Sequence, residues 1–292
     1  MRAILPPRAR IAVIAPSGTF DPAKLEAGMA LARAAGADLH PLDGLLDPVR
    51  YLASADSHRL HQLTEALTSP GWDAVWVARG GFGLTRILSD VPWRRVRPKT
   101  VIGFSDATPL LEAMRRVTGA VGVHGPVIHS LPETDSFSRE RTFDLIFRGI
   151  FPPLTGETWV HGEAEGPLVG GNLAMLAATC GTRWQVDAAG AILALEDVGE
   201  APYRIDRMLT QLAEAGVLDA VAGVALGGFT ACVPPAGAAW TLDDVLRERL
   251  ATLGVPVVAH LPFGHQPANA ALPIGARVRL ADGALSLTPE DS

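Results

Sequence analysis

The chain has 292 residues, of which 48% are hydrophobic and 19% charged, as expected for a globular protein with one large domain or two of ordinary size. Its net charge is −6 and no basic stretch compensates for it, which argues against a nucleic-acid partner. No apolar run reaches about 18 residues, so the sequence predicts no membrane-spanning helix and no membrane partner.

The two cysteines, Cys180 and Cys232, have neither metal-site spacing nor other ligands beside them, which favours a reduced, cytoplasmic setting. The first ten residues lack the apolar core and cleavage pattern of a signal peptide. His58 and His61 are three positions apart on a predicted helix, but no third ligand is near them in the sequence. We therefore interpret them as surface histidines and predict no metal site.

The first half of the chain alternates strand and helix patterns. Buried-strand patterns cover residues 10–15, 73–78, 101–104 and 120–123, and helix patterns cover residues 21–35, 52–67 and 84–88. This alternation predicts an α/β domain with a mainly parallel sheet. The loops at the carboxyl ends of its strands are expected to hold the ligand site.

Ser105 lies between the strand at residues 101–104 and a helix whose start is indicated by Asp106, Thr108 and Pro109. A serine in such a sharp turn has its hydroxyl raised clear of the sheet, beside the free amides of the helix start. The second glycine of the G-x-S-x-G hydrolase elbow is missing here. These residues alone therefore favour a helix cap over a nucleophile.

A glycine-rich loop, residues 79–83, follows the strand at residues 73–78. It fails the dinucleotide fingerprint because Arg86 occupies the position of the last glycine. A loop that needs positive φ or a close backbone approach to a ligand is the better interpretation. Amides near Gly81 and Asp106 would then complete an oxyanion site, although a purely structural turn explains the pattern equally well.

From about residue 148 the sequence changes. Residues 152–167 are rich in glycine and proline and predict a linker or crossing segment, after which Gly170 and Gly171 lead into a small-residue helix. The later elements are strands at 191–195, 221–226 and 255–259, a helix at 205–215, and a hairpin at 276–288 turned by Asp282 and Gly283. We predict an N-terminal α/β domain over residues 1–150, and a linker with a smaller, strand-rich mixed α/β domain over residues 151–292.

Polar residues of this second half are candidates for chemistry. Glu196 stands at the end of the strand predicted at 191–195, so the sheet holds it more firmly than the other carboxylates and it is the better candidate to orient a base. Glu200, Tyr203 and Arg204 follow in a loop that could line a pocket. His265 lies in a loop rich in proline and glycine and is suited to taking a serine proton near neutral pH. The simpler interpretations are surface acids and a solvated histidine.

Taken together, these segments resemble the LD-carboxypeptidases, serine peptidases that act on murein tetrapeptides. The resemblance runs from residues 11–18 to the terminal hairpin. It rests on the motifs Ala78-Arg-Gly-Gly-Phe-Gly83, Gly103-Phe-Ser-Asp106, His124-Gly-Pro126, Gly170-Gly-Asn-Leu173, Leu195-Glu-Asp-Val-Gly-Glu200, Tyr203-Arg-Ile-Asp-Arg-Met208 and Gly264-His265.

The resemblance implies a Ser-Glu-His triad, with Ser105 as the nucleophile, Glu196 as the acid and His265 as the base. The family draws its serine from the N-terminal domain and its other two residues from the C-terminal domain, so we expect the site in the cleft between them. The implied reaction releases the terminal D-alanine of a murein tetrapeptide without metal or organic cofactor. We expect a cytoplasmic homodimer.

A carboxypeptidase must recognise the free carboxylate of its substrate, for which a guanidinium is suited. Arg79 and Arg204 are the candidates, and we favour Arg79; structural ion pairs are the alternative for both.

Two other functions remain open. Relatives in the superfamily resemble microcin-C self-immunity proteins, which cleave acyl-adenylate analogues and need an aromatic platform; Trp184 or Trp240 would supply it. A catalytically silent binding protein is the other, and the presence of all three triad residues argues against it.

Overall fold

The computed structural model describes residues 3–288, which form two compact units. The first comprises residues 3–150 and Ala270–Ile274, and the second comprises Phe151–Asn269 and residues 275–288. The strands are β1 (Arg10–Ile14), β2 (Asp38–Pro41), β3 (Ala74–Val77), β4 (Thr100–Gly103), β5 (Gly122–His124), β6 (Leu154–Thr155), β7 (Glu157–Val160), β8 (Glu163–Asn172), β9 (Ile192–Val198), β10 (Gly223–Thr230), β11 (Val257–Ala259), β12 (Leu272–Ile274), β13 (Arg277–Ala281) and β14 (Ala284–Leu287).

Eight α-helices are present in the part of the chain that the structure describes. They are α1 (Pro22–Ala34), α2 (Asp56–Thr68), α3 (Leu84–Ile87), α4 (Thr108–Thr118), α5 (Ser136–Arg148), α6 (Leu173–Thr179), α7 (Pro202–Glu214) and α8 (Leu242–Leu250). Within residues 3–288, no helix has both the length and the apolar character needed to cross a membrane.

The first unit is built on a six-stranded sheet with the order β12-β5-β4-β3-β1-β2. Strands β1 to β5 pair in parallel, and β3 and β4 are buried at every position. Continuous apolar strands are typical of parallel sheets that are covered on both faces. The predicted mainly parallel α/β architecture is confirmed.

Strand β12 was not predicted. It comes from the C-terminal half of the sequence and pairs antiparallel with β5 at the edge of the first sheet. Only three residues long, it contains Pro273, which an edge strand tolerates because one side of its backbone needs no partner. A short segment with a central proline gives no strand signal in the sequence.

The second unit has an eight-stranded sheet with the order β6-β14-β13-β8-β9-β10-β11-β7. Its four central strands, β8 to β11, are parallel, and the outer strands pair antiparallel. Leu193, Leu195 and Val224 from the centre of the sheet pack with Leu209 and Leu212 of α7 in one buried cluster. This mixed, strand-rich architecture is the one predicted for the second half.

Several element bounds differ from the predictions. The segment predicted as a linker or crossing segment contains β6, β7 and the start of β8. Gly156 and Gly162 lie between these strands, whereas Gly166 and Pro167 lie inside β8. Helix α2 begins at Asp56 rather than near residue 52, because Leu52 forms β-bridges with Gly18 and Val49. The hairpin of β13 and β14 is confirmed; Asp282 and Gly283 both have positive φ, as a two-residue turn requires.

The parallel pairing of β3 with β4 also determines where the loops of interest lie. Both strands end at the same edge of the sheet, so the loop at residues 79–83 and the turn at Ser105 are neighbours.

Candidate active site

Ser105 occupies a strained turn between β4 and α4. Its φ is +59°, a left-handed conformation that costs a residue with a side chain about 1–3 kcal/mol. The Ser105 carbonyl accepts a hydrogen bond from Thr108 Oγ1 at 2.8 Å, which ties the turn to the first residue of the helix. The side chain is half-buried. The structure therefore has the strand–turn–helix geometry of a nucleophile elbow without its second glycine.

The glycine-rich loop packs directly against this turn. A Cβ at Gly80 would lie 3.3 Å from Ser105 Cβ and 3.2 Å from the Phe104 carbonyl oxygen, so a larger residue would push the serine away. Gly81 has a φ of +104°, and its N–H has no acceptor among the described residues. The Asp106 N–H belongs to the first turn after β4, where helix amides lack intrahelical acceptors. These two amides remain the candidates for an oxyanion site.

Glu196 and His265 form a short hydrogen-bonded pair in the second unit. Glu196 Oε2 lies 2.7 Å from His265 Nδ1 and also accepts the backbone N–H of His265 at 3.1 Å. The carboxylate is fully buried, whereas the imidazole is 21% exposed. Because the carboxylate can only accept, Nδ1 carries the proton of this contact, and in the neutral ring Nε2 keeps a lone pair. This is the tautomer that a general base needs.

Glu196 lies inside β9 rather than after its end, because the strand continues to Val198. Glu196 pairs with Asn172 of β8, whereas on the β10 side only its neighbours Leu195 and Asp197 are paired, across a register shift. The strand that holds the carboxylate therefore has a neighbouring strand on each side. The sequence analysis placed Glu196 at the end of a strand that was made too short, and its role as the acid stays a prediction. Polar residues at a strand end hide the continuation of the strand from hydrophobicity patterns.

Gly264 lets the histidine loop approach the acid. Its φ is +103°, and a Cβ there would lie 2.7 Å from Glu196 Cβ and 3.0 Å from Glu196 Oε2. The Gly264 N–H donates to Asn269 Oδ1 at 3.0 Å, which fixes the loop on its other side. The glycine is required by contact as well as by backbone conformation.

Asp197, which follows Glu196 in β9, and Asn172 form a buried hydrogen-bonded pair to which the sequence analysis assigned no role. Asp197 accepts hydrogen bonds from Asn172 Nδ2 at 3.2 Å and from the Ala174 N–H at 2.9 Å, which ties the start of α6 to β9. Burial raises the pKa of Asp197 to about 6, and the neighbouring Glu196 charge acts in the same direction. The Gly170-Gly-Asn172 motif was the available signal, since asparagine after glycines at a helix start is a capping pattern.

The two candidate arginines differ in their partners. Arg79 donates to the Thr19 carbonyl, and no carboxylate among the described residues forms an ion pair with it. A Cβ at Gly18 would lie 2.8 Å from Arg79 Nη1, so the guanidinium lies directly over that glycine. Arg204 instead contacts Glu200 Oε2 at 3.5 Å and the Tyr203 hydroxyl at 3.3 Å. Of the two, Arg79 is thus the arginine whose guanidinium has no carboxylate partner among the described residues.

The structure thus brings the predicted residues together in two groups. In the first unit, Ser105, Asp106 and the loop carrying Arg79 and Gly81 lie at neighbouring strand ends; in the second, Glu196 contacts His265. A third group lies at the start of α7 and consists of the exposed Tyr203 and Arg204 and the half-buried Glu200.

Two further sequence hypotheses concern aromatic and metal sites. Trp184 is 7% exposed and Trp240 is 43% exposed, so only Trp240 presents a ring to solvent. Within residues 3–288, no group of three or more histidine, cysteine, aspartate or glutamate side chains could hold a metal ion.

The contact at Gly264 gives a direct prediction. Gly264→Ala should lower the free energy of unfolding by about 1–3 kcal/mol more than the control Gly36→Ala, measured by urea unfolding. The control matches the backbone strain, since Gly36 has a φ of +104° but nothing within 4 Å of its added Cβ. Equal losses in the two variants would contradict the close approach of Gly264 to Glu196.

Comparison with known proteins identifies the family of the chain. The profile of the LD-carboxypeptidase N-terminal domain matches residues 11–125, and that of the LD-carboxypeptidase C-terminal domain matches residues 165–280. A putative carboxypeptidase of Synechocystis is 41% identical over 97% of this chain and 95% of its own length. The murein tetrapeptide carboxypeptidase of Pseudomonas aeruginosa is 36% identical over 91% of each chain.

A crystal structure is also similar. The muramoyltetrapeptide carboxypeptidase of Oxalobacter formigenes superposes with a TM-score of 0.84 at 31% identity, covering 95% of this chain and 97% of that one. With both domain profiles matched and relatives above 30% identity along nearly the whole length, the chain belongs to the LD-carboxypeptidase family.

Proposed function

We propose that this protein is a serine carboxypeptidase that hydrolyses the L,D-peptide bond of a murein tetrapeptide and releases the terminal D-alanine. The observation that carries the proposal is the 2.7 Å contact between Glu196 and His265, which orients an imidazole as a general base. The strained elbow of Ser105 and the membership in the LD-carboxypeptidase family support the same reaction.

In the first step, His265 Nε2 takes the proton of Ser105 Oγ as the oxygen attacks the scissile carbonyl. The attack requires the serine proton within hydrogen-bond distance of Nε2. Glu196 keeps the proton on Nδ1 and stabilises the imidazolium that forms. The carbonyl oxygen becomes an oxyanion, and the amides of Gly81 and Asp106 are the donors proposed to stabilise it.

In the second step, the imidazolium returns its proton to the leaving nitrogen, and D-alanine departs as the free amine. The remaining tripeptide is then an ester of Ser105. Water, deprotonated by His265, attacks this acyl-enzyme and restores the serine hydroxyl. Every proton in the cycle passes through His265, so the reaction needs no metal or organic cofactor.

Recognition of the terminal carboxylate is assigned to Arg79. Its guanidinium has no carboxylate partner among the described residues, and its backbone begins the loop that packs on Ser105. A planar guanidinium can pair with both oxygens of the terminal carboxylate. A peptide that is one residue longer, or one that ends in an amide, would not place a carboxylate at this position. Glu200 and Tyr203 are proposed to contact the substrate further from the bond that is cut.

The proposal also includes a cytoplasmic location and a homodimer. Cys180 and Cys232 are free thiols, which a reducing compartment favours. A dimer would have twice the chain mass of 30.7 kDa, which light scattering of the purified protein would measure.

The assignment of the acid is testable by two substitutions. Glu196→Gln should lower kcat for D-alanine release by about 10⁴-fold, because loss of the charge leaves the wrong tautomer and an unstabilised imidazolium. Glu200→Gln is the matched control, a carboxylate four residues further on that should mainly raise KM. Steady-state kinetics on the tetrapeptide separates the two effects, and the opposite pattern would show that Glu200 is the acid.

Recognition of the carboxylate gives a second test. The enzyme should release D-alanine from the tetrapeptide and leave a pentapeptide or an amidated tetrapeptide largely uncut, as measured by mass analysis. Arg79→Met should lower kcat/KM for the tetrapeptide by roughly 10–100-fold, the cost of losing a charged hydrogen-bond partner, while Arg204→Met serves as the control. Equal cleavage of the amidated peptide would show that the carboxylate is not recognised.

The same experiment distinguishes the adenylate-cleaving alternative. If Ser105 is labelled by a serine-directed probe but no murein peptide is cut, an acyl-adenylate analogue becomes the substrate to test. Trp240 is the exposed aromatic candidate for that reaction.

A further inference from the structure

One peptide group in the first unit is held from both sides by buried charged side chains. The Gly83 carbonyl accepts a hydrogen bond from Arg59 Nη1 at 2.9 Å, and the Leu84 N–H of the same peptide donates to Asp106 Oδ2 at 2.9 Å. Both Arg59 and Asp106 are 0% exposed. Turns at strand ends are ordinarily held by backbone hydrogen bonds or by water. Two buried ionisable side chains that hydrogen-bond one peptide group are therefore unusual.

This peptide closes the glycine-rich loop that packs on Ser105. At its start, the Gly80 carbonyl accepts the Gly18 N–H at 3.0 Å, and a Cβ at Gly80 would lie 3.3 Å from Ser105 Cβ. At its end, the loop is bonded to Asp106, the residue that follows Ser105. The loop and the elbow are therefore joined at two points, with the free N–H of Gly81 between them.

The glycines of the loop make these anchors necessary. Gly81 and Gly83 have φ values of +104° and +140°, and neither carries a side chain that could fix its conformation by packing. A Cβ at Gly83 would lie 2.8 Å from Arg59 Nη1, so the glycine is also what admits the guanidinium. Side chains from outside the loop therefore hold its amides in place.

Burial and the surrounding groups act in opposite directions on the pKa of the Asp106 carboxyl. Burial raises the pKa of Asp106, whereas the Ser17 hydroxyl, the Leu84 N–H and the Arg59 charge act in the opposite direction. Removing either member would leave the other as a buried charge with fewer partners, which is costly in a low-dielectric interior.

Arg59 is in turn held by further groups. It donates to the Pro16 carbonyl and to the Ser54 carbonyl at 3.1 Å, and it pairs with Asp56. Asp56 in turn pairs at 2.6 Å with Arg86 of α3, the helix that follows the glycine-rich loop.

We propose that the Asp106 carboxylate and Arg59 act as a clamp that positions the Gly80–Gly83 loop against Ser105, so that the Gly81 N–H is aimed at the oxyanion. Their side chains are positioning groups for the reaction and do not touch the substrate; the backbone N–H of Asp106 is a separate, proposed oxyanion donor. The inference rests on the proposed function for the role of Ser105, but it concerns side chains that the triad mechanism does not use. Loss of the clamp should lower the rate of the chemical step and leave substrate binding nearly unchanged.

The test uses a fluorophosphonate probe carrying a fluorophore, which requires no murein substrate. Ser105 Oγ forms a bond to phosphorus, fluoride leaves, and the serine proton passes to the base, through an anionic transition state that the same amides would stabilise. Asp106→Ala should label about 100-fold more slowly than the wild type, the scale for loss of one oxyanion donor. Asp106→Asn, whose amide oxygen can still accept the Leu84 N–H, should recover most of that rate.

Glu112→Ala is the matched control. Glu112 is a buried carboxylate on α4, six residues beyond Asp106, and it pairs with Arg115 at 3.0 Å. It should label at nearly the wild-type rate per folded molecule, with the folded fraction measured by circular dichroism. Arg59→Lys, which keeps the charge but loses the guanidinium fork, should label about tenfold more slowly.

Arg59→Lys decides the question if Asp106→Ala does not fold. Labelling of folded Asp106→Ala or folded Arg59→Lys within twofold of Glu112→Ala would overturn the clamp. With the tetrapeptide as substrate, the loss should appear in kcat with KM within about twofold of the wild type; a loss in KM alone would also overturn it. If Ser105 of the wild type is labelled but no D-alanine is released, the proposed function is wrong. The labelling rates of the variants still test the clamp in that case.

Discussion

A buried carboxylate that holds an imidazole by one nitrogen is the interaction on which the account depends. Glu196 has no exposed surface, and its Oε2 meets both the ring and the backbone N–H of His265. Two hydrogen bonds to one oxygen fix the orientation of the ring as well as its tautomer. The position of Glu196 between β8 and β10 gives the acid a rigid support, as a catalytic group requires.

Close approach of backbones explains why glycines recur in both candidate regions. At Gly264 a side chain would collide with Glu196, and at Gly80 it would collide with the turn that bears Ser105. In each place the absence of a Cβ lets one loop reach the functional side chain of another element. The same principle applies to Gly83, where the missing side chain leaves room for the Arg59 guanidinium.

The candidate triad and the elements that carry it were predicted from different signals in the sequence. Ser105, Glu196 and His265 came from motif order and resemblance, whereas β12 was missed and β9 was made too short. Strand patterns fail where polar functional residues interrupt the apolar run, which is the case at Glu196 and Asp197.

Arg59 illustrates a different limit of sequence analysis. It lies on the buried face of α2 with Leu63, Ala66 and Leu67, at the spacing of an apolar stripe. An arginine in such a stripe signals a buried partner, but the sequence does not identify it. Its contacts with Gly83 and Pro16 join segments distant along the chain, and only the folded structure shows them.

The central claim is that His265, oriented by the Glu196 carboxylate, activates Ser105 as a nucleophile. The most direct measurement is the site and rate of covalent labelling by a fluorophosphonate. The account predicts one label per chain, on the peptide that contains Ser105, with none in Ser105→Ala and a rate at least about 100-fold lower in His265→Ala. A label on another residue, or an unchanged rate at Ser105 in His265→Ala, would contradict it.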